Sequence, residues 1–401
     1  MSILVQEPGI LSSFSRAAPD ALLALIGLHA ADPRPMKIDV GVGVYRDAAG
    51  ATPVFRAVKQ AEARLVADQG SKAYLGAEGD AVFTQLLASV VFGKELAAAP
   101  GLTGLQTPGG TGALRAGAEL LARAGSNPAV WVGTPTWANH VPLFEAAGLA
   151  VRTHPFFDAR TGDLDFEATV AGLAEAAPGD IVLLHGCCHN PTGASFSVEQ
   201  WEALADFCRS RHLLPFIDLA YQGLGDGLDA DVTGLRRLLA RVPEALVAYS
   251  CDKNFGLYRD RVGALWAWTP SRDVAESVLS QLCALARVNW SMPPDHGAAV
   301  VRLILSDDGM RAEWISELDA MRKRIASIRT QLGTAHPRLA PIARQKGMFA
   351  MLPLSAAEVG ALRDNHAIYM APNARINIAG LTTSSAERFV GALRPCLDQG
   401  A

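Results

Sequence analysis

The chain has 401 residues, half of them hydrophobic and 19% charged, with a formal net charge of −4. That length accommodates one large domain plus a smaller one, and the mild acidity gives no sign of a nucleic-acid or anionic-membrane partner. Met1 to Pro19 lacks a basic stretch followed by an apolar core, and no apolar run approaches ~20 residues, so neither a signal peptide nor a membrane span is expected.

In chain order, Ile38-Asp39-Val40-Gly41-Val42-Gly43-Val44 comes first as a strand-like segment, expected to join a smaller unit built mainly from the C-terminal part. Gly109-Gly110-Thr111-Gly112-Ala113-Leu114-Arg115 then opens a helix that continues to about Arg123. Glycines at a helix N-terminus expose backbone N–H groups, and the helix dipole favours an anion there. The pattern matches neither a Walker loop nor GxGxxG after a strand, so a nucleotide site is not supported. Taken alone, a glycine-rich helix start is the plainer reading.

Short apolar runs at residues 129–132, 150–153, 181–184, 213–217, 245–248 and 263–268 read as strands, separated by helical stretches. Residues 198–211 form one such helix, with Trp201, Leu204, Ala205 and Cys208 on one face. Because the strands are continuously apolar rather than alternating, they predict a sheet covered on both sides. The expected class is α/β with a largely parallel central sheet. Beyond Pro294, residues 297–305 and 308–332 look helical, and 347–352 and 374–378 look like strands of a smaller α+β unit.

A polar motif follows four of the strands. Thr134-Pro135-Thr136-Trp137 follows one and His185 to Gly193 another; Asp218-Leu219-Ala220-Tyr221 and Ser250-Cys251-Asp252-Lys253 follow two more. Ligands of open α/β sheets bind at the carboxyl ends of strands, so this convergence counts for more than any single motif.

Lys253 is the most telling of these residues. A lysine at the end of a buried strand is costly unless it does chemistry, and one common use is a Schiff base with a carbonyl cofactor. With Ser250 and the fixed cation Arg261 close by in sequence, the pattern suggests pyridoxal phosphate. The glycine-rich helix start at Gly110 and Thr111 then becomes a plausible phosphate cup. Asp218 ends an apolar strand and needs a partner, which a protonated pyridine nitrogen would supply; a loop or N-cap aspartate is at least as good a reading by itself. Tyr221 and Asn190 could donate to the ring phenolate oxygen, although Asn-Pro is also a common turn. Trp137 could cover a ring face or simply fill core. His140 and His185 could orient Asp218 through hydrogen bonds. Arg375 and Arg287 are candidates for binding substrate carboxylates. The six cysteines form no CxxC pair; Cys187-Cys188, flanked by His185 and His189, read as buried free thiols in a reduced, cytoplasmic protein rather than as a metal site.

Together these stretches carry a family resemblance. GVGVYRD (41–47), KAYLGAEG (72–79), TPGGTGALR (107–115), PTWANH (135–140), HGCCHNPTG (185–193), DLAYQG (218–223), SCDKNFGLYRDRVG (250–263), PPDHGA (293–298), GMF (347–349) and ARINIAG (374–380) occur in family order. The chain resembles the class I pyridoxal-phosphate aminotransferases, in the aspartate and aromatic amino-acid branch. The resemblance implies the type I fold of such enzymes, with a mostly parallel seven-stranded sheet between helices in the large domain. The expected divisions are an arm at 1–15, small-domain segments at 16–48 and 316–401, and the large domain at 49–315. It also implies a homodimer with shared sites, and transamination from aspartate, tyrosine or phenylalanine to a 2-oxo acid such as 2-oxoglutarate. A lyase or decarboxylase on the same scaffold is the alternative.

Residue by residue, Lys253 matches the Schiff-base lysine, Asp218 the pyridine-nitrogen partner, Tyr221 and Asn190 the phenolate donors, and Trp137 the stacking aromatic. Gly110, Thr111, Ser250 and Arg261 match phosphate contacts, with Tyr74 reaching in from the partner subunit. Arg375 matches the α-carboxylate arginine, and Arg287, also from the partner, the side-chain carboxylate arginine. Gly43 and Val42 match a mobile segment that closes on substrate, with Phe349 near it. Three residues depart from the pattern. Asp252 stands where a small residue such as serine is usual, and it could face the site or point away. Trp290 replaces a tyrosine and Met292 a smaller or polar residue, a tilt toward aromatic substrates.

Overall fold

The computed structural model describes residues 10–16, 21–125 and 127–399. The strands of the central sheet are β1 (Leu102–Pro108), β2 (Ala129–Thr134), β3 (Ala150–Pro155), β4 (Ile181–His185), β5 (Leu214–Leu219), β6 (Ala245–Ser250) and β7 (Val262–Trp268). Across the sheet they run β1-β7-β6-β5-β4-β2-β3. Only β7 is antiparallel to its neighbours; the remaining pairings are parallel.

Alternate residues of one strand enter different cores. Val182 and Leu184 of β4 join the cluster on one face, while Ile181 and Leu183 join the cluster on the other. Both faces are therefore dry, which is why the strands read as unbroken apolar runs. The strand that sequence patterning passes over is β1. Its Gln106 and Thr107 are buried but satisfied: Gln106 Oε1 accepts from the Asp80 N–H (2.8 Å), Gln106 Nε2 donates to the Pro294 carbonyl (2.7 Å), and Thr107 Oγ1 donates to the Gly109 carbonyl (3.0 Å). Such polar residues hide a strand from hydropathy without destabilising it.

Helices cover the sheet. Of these, α1 (Gly109–Ala122) packs on β6 and β7. Further on, α2 (Val198–Arg211) starts at a capping box between Ser197 and Gln200 and buries Trp201, Leu204, Ala205 and Cys208, the predicted face. Next come α3 (Arg272–Asn289) and α4 (Asp308–Ala335). Among the described residues no helix is long and apolar enough to cross a membrane.

The smaller unit differs from expectation. Ile38–Asp39 pairs in parallel with Ile368–Tyr369, and Phe349–Met351 pairs antiparallel with Arg375–Asn377, giving two short sheets, and the strand-like segment 38–44 is strand only at its first two residues. The segment after Val40 leaves strand geometry because the buried Asn377 side chain claims its carbonyls. Asn377 Nδ2 donates to Val42 O (2.6 Å) and Val44 O (2.7 Å), and the Asn377 N–H donates to Val40 O (2.7 Å). Of the expected arm, residues 1–9 lie outside the described residues; Ile10–Ser13 is a short 3-10 turn.

Arg329, on α4, ties this unit together. It is 2% exposed and donates to the carbonyls of Gly347 (3.0 Å), Ile342 (3.2 Å), Lys346 (2.9 Å) and Phe349. Burial pushes its pKa down to about 10, yet it stays cationic at neutral pH. Replacing it by methionine (Arg329→Met) orphans buried carbonyls and should cost about 3 kcal/mol of stability. Chemical denaturation checks this; a loss below about 1 kcal/mol would show that water or neighbours replace the guanidinium.

Candidate active site

The carboxyl ends of β2, β4, β5 and β6 open onto a cavity of about 180 Å³. Gly110, Thr111, Trp137, Asn190, Asp218, Tyr221, Ser250, Lys253 and Arg261 all line it, together with Asp252. Parallel strands deliver these residues to one edge of the sheet, although they are far apart in sequence.

At one end lies the start of α1. Gly109 has φ +70°, and a Cβ there would sit 2.6 Å from Arg261 Nη2; at Gly110 a Cβ would sit 3.0 Å from the Cβ of Ser250. These glycines let the helix N-terminus close against Ser250 and Arg261. Pro108, before the helix, makes no side-chain cap, so the first-turn N–H groups remain available to an anion. This cradle fits the phosphate of pyridoxal phosphate.

Asp252 faces the cavity. Arg261 Nη1 donates to Asp252 Oδ2 at 2.5 Å, and Lys253 Nζ lies 4.0 Å from the same oxygen. Asp252 Oδ1 is buried and has no hydrogen-bond partner among the described residues. The orientation that sequence left open is thus resolved inward.

Lys253 sits in a turn after β6, and its neighbours fix that turn. Asn254 Nδ2 donates to Tyr249 OH (2.7 Å), which donates to Gln222 Oε1 (2.9 Å); Gln222 Nε2 donates to Leu228 O (2.9 Å). From α4, Trp314 Nε1 donates to Asn254 O (2.7 Å), and its ring stacks on Phe255 at 4.3 Å. Burial lowers the pKa of Lys253; Asp252 and Asp218 oppose that shift without reversing it.

Asp218 Oδ2 accepts from His140 Nε2 (3.0 Å), and His140 Nδ1 pairs with Thr136 Oγ1 (2.7 Å). Burial pulls Asp218 toward protonation, but the hydrogen bond from His140 and nearby positive charge outweigh it and lower its pKa overall. His185 is not part of this chain of bonds. Its ring lies 5.2 Å from that of His140, its Nε2 has no partner among the described residues, and burial holds its pKa at about 3. Of the two histidines, His140 is the one that hydrogen-bonds the Asp218 carboxylate among the described residues.

On the opposite side, Asn190 Nδ2 donates to Tyr221 OH at 3.4 Å, while Asn190 Oδ1 is buried without a partner among the described residues. Burial raises the pKa of Tyr221, so its hydroxyl keeps its proton and can donate. The Tyr221 ring meets Phe349 edge-on at 5.9 Å, and Arg375 Cζ lies 4.8 Å above the Phe349 ring. Arg375 Nη2 donates to Gly41 O (2.8 Å), and its Nε is buried without a partner among the described residues. A Cβ on Gly43 would lie 2.9 Å from Phe349, so the Gly41-Val42-Gly43 turn needs glycine to lie this close. Phe349, Arg375 and the backbone of Gly41 and Gly43 thereby form one connected group next to Tyr221, with Val42 between the two glycines.

Tyr74 and Arg287 are not brought to the cavity. Tyr74 is 92% exposed, and Arg287, at the end of α3, is exposed and donates to Ser291 Oγ. Their loops touch, since the Leu75 N–H meets Met292 Sδ at 3.0 Å. Trp290 is half-buried and packs against the core cluster on one face of the sheet rather than standing free. Sequence reading gave no role to Gln222, Tyr249 and Asn254, which act only through a contact network that no spacing reveals.

Known proteins resemble the chain along nearly its whole length. The family model "Aminotransferase class I and II" matches residues 35–393. A tyrosine aminotransferase of Rhizobium meliloti (strain 1021) is 53% identical over 383 residues, 94% of this chain and 98% of that protein. An aspartate aminotransferase of Escherichia coli (strain K12) is 44% identical over 375 residues, 91% of this chain and 95% of that one. A crystal structure of an aromatic-amino-acid aminotransferase from Burkholderia pseudomallei, covalently bound to pyridoxal phosphate, superposes with TM-score 0.94 at 37% identity, covering 97% of this chain and 100% of that one. With the motifs, the fold and the cavity all in agreement, the chain belongs to the class I and II aminotransferases and is a pyridoxal-phosphate-dependent transaminase.

Proposed function

We propose that this enzyme moves the amino group of aspartate and of aromatic amino acids to a 2-oxo acid such as 2-oxoglutarate, with Lys253 as the catalytic base. The observation that carries the reading is the placement of Lys253 and Asp218 on one cavity whose far end is a glycine-lined helix N-terminus. When bound, pyridoxal phosphate supplies a carbonyl for covalent attachment and a ring that accepts electrons from the substrate Cα.

The protein does the rest. The first turn of α1 at Gly110 and Thr111, with Ser250 and Arg261, holds the phosphate. Trp137 covers one ring face. Asp218, kept ionised and aimed by His140, holds a proton at the ring nitrogen. Tyr221 and Asn190 donate to the phenolate oxygen. Arg375 grips the substrate α-carboxylate. Lys253, its pKa lowered by burial, would take the Cα proton and hand it to the C4′ carbon of the cofactor, a role worth about 10²–10⁴-fold in rate. Phe349, Val42 and Gly43 close over the substrate and exclude water.

Tyr74 stands exposed on a loop and Arg287 exposed in the last turn of α3, and neither lines the cavity of its own chain. A homodimer with shared sites is the reading that gives both a role: Tyr74 at the phosphate, Arg287 at the distal carboxylate of aspartate or 2-oxoglutarate. The arm is assigned to 1–15, the small domain to 16–48 and 316–401, and the large domain to 49–315, with the last boundary inside the continuous α4. Six free cysteines fit a reducing cytoplasm.

Borohydride reduction of the purified enzyme should leave the cofactor attached to the peptide bearing Lys253; an adduct on a different lysine would overturn the assignment. In the variant Arg287→Ala, kcat/KM for aspartate should fall roughly 100-fold more than for phenylalanine. Equal losses would remove Arg287 from the distal carboxylate. For His140→Ala the sign is set by the bond it removes. That bond lowers the Asp218 pKa, so the acid limb of the kcat profile should move to higher pH. An unmoved limb would leave His140 with packing alone.

A further inference from the structure

The phosphate end of the cavity contains a carboxylate. Arg261 Nη1 is taken by Asp252 Oδ2 at 2.5 Å and also meets the Tyr258 carbonyl at 3.1 Å. Arg261 Nη2 is the arm that faces the Gly109 turn, where an added Cβ would come within 2.6 Å of it. The guanidinium fork is therefore split. One arm serves Asp252, and the other remains for an anion at the helix N-terminus. With Nη1 committed to Asp252 and the Tyr258 carbonyl, the Nη1–Nη2 edge cannot grip a phosphate with two parallel hydrogen bonds, and only the Nε–Nη2 edge is left for that.

Charge adds to the geometry. Asp252 is 6% exposed, and its Oδ1 has no hydrogen-bond partner among the described residues. Lys253 Nζ, 4.0 Å from Oδ2, is the other cation close to it. Tyr258 and Cys251, also packed around the turn, are neutral, burial having raised both their pKa values, that of Tyr258 to about 12. The carboxylate thus cancels the arginine charge that a bound phosphate would otherwise use, and it stands beside the phosphate as a like charge.

We propose that Asp252 is an internal competitor for the cofactor phosphate: it holds one arm of Arg261 and sets cofactor affinity well below what the same cup would reach without it. The proposal rests on pyridoxal phosphate occupying this cavity with its phosphate at the start of α1. Its consequence is a cofactor that exchanges with the free pool, so that the loaded fraction of enzyme follows cofactor supply.

The test uses full-length protein loaded with pyridoxamine phosphate, whose amine forms no covalent bond with Lys253. The bound fraction is measured on serial dilution for wild type, Asp252→Ser and Asp252→Asn. Both substitutions should lower Kd roughly 10- to 100-fold, the scale of removing one like charge at this range in a partly buried site. Pyridoxamine, which lacks the phosphate, should bind wild type and variants within about 2-fold of each other. An unchanged or raised Kd for pyridoxamine phosphate in both variants would overturn the proposal and make Asp252 a residue that orients Arg261. Equal tightening of pyridoxamine would also overturn it, because the effect would then act at Lys253 or the ring. Wild-type protein that binds neither compound would instead sink the cofactor site itself.

Discussion

A lysine at the end of a fully buried strand obliges its surroundings to manage its charge. β6 is buried along its whole length, and the turn that follows carries Lys253 into a cavity with Asp218, Asp252 and Arg261. Charges so close in a partly dry site are strongly coupled, and each is tolerable only because the others are held in place. The buried chain from Asn254 through Tyr249 to Gln222, and the Trp314 indole on Asn254, keep the lysine turn from relaxing toward solvent. His140 does the same for Asp218. The chemistry proposed for the site depends on this arrangement: burial lowers the pKa of Lys253, the hydrogen bond from His140 lowers that of Asp218, and burial keeps Tyr221 protonated.

Much of this was legible in the sequence, for physical reasons. A sheet covered on both faces forces continuous apolar runs, so most of its strands announce themselves, and the polar motifs at their ends fall at one edge. β1 was implied only by resemblance, because Gln106 and Thr107 are buried with their hydrogen bonds made internally, which hydropathy cannot register. The small unit was misjudged for a related reason: the Asn377 side chain replaces a backbone ladder, and side-chain substitution for a strand leaves no periodic trace. The direction of Asp252 was likewise illegible, since it depends on where Arg261 lies in space, nine residues later in the chain and at φ +55°.

Tyr74 and Arg287 mark the limit of reading one chain. Neither reaches the cavity of the chain that carries it; the loop after Tyr74 touches the loop that follows α3, whose last turn carries Arg287. Resemblance assigns them to a neighbour's site; spacing or hydropathy could not have done so. Trp290 and Met292 lie directly after α3, in the loop that touches Leu75.

The account's central claim is a two-stage exchange of an amino group on one cofactor, and steady-state kinetics of the purified protein test it most directly. With aspartate, tyrosine or phenylalanine varied against fixed levels of 2-oxoglutarate, double-reciprocal plots should be parallel. Glutamate should form in equal amount to the 2-oxo acid released. Intersecting lines, or product formed from the amino acid with no 2-oxo acid acceptor present, would contradict it and point to a lyase or decarboxylase on the same scaffold.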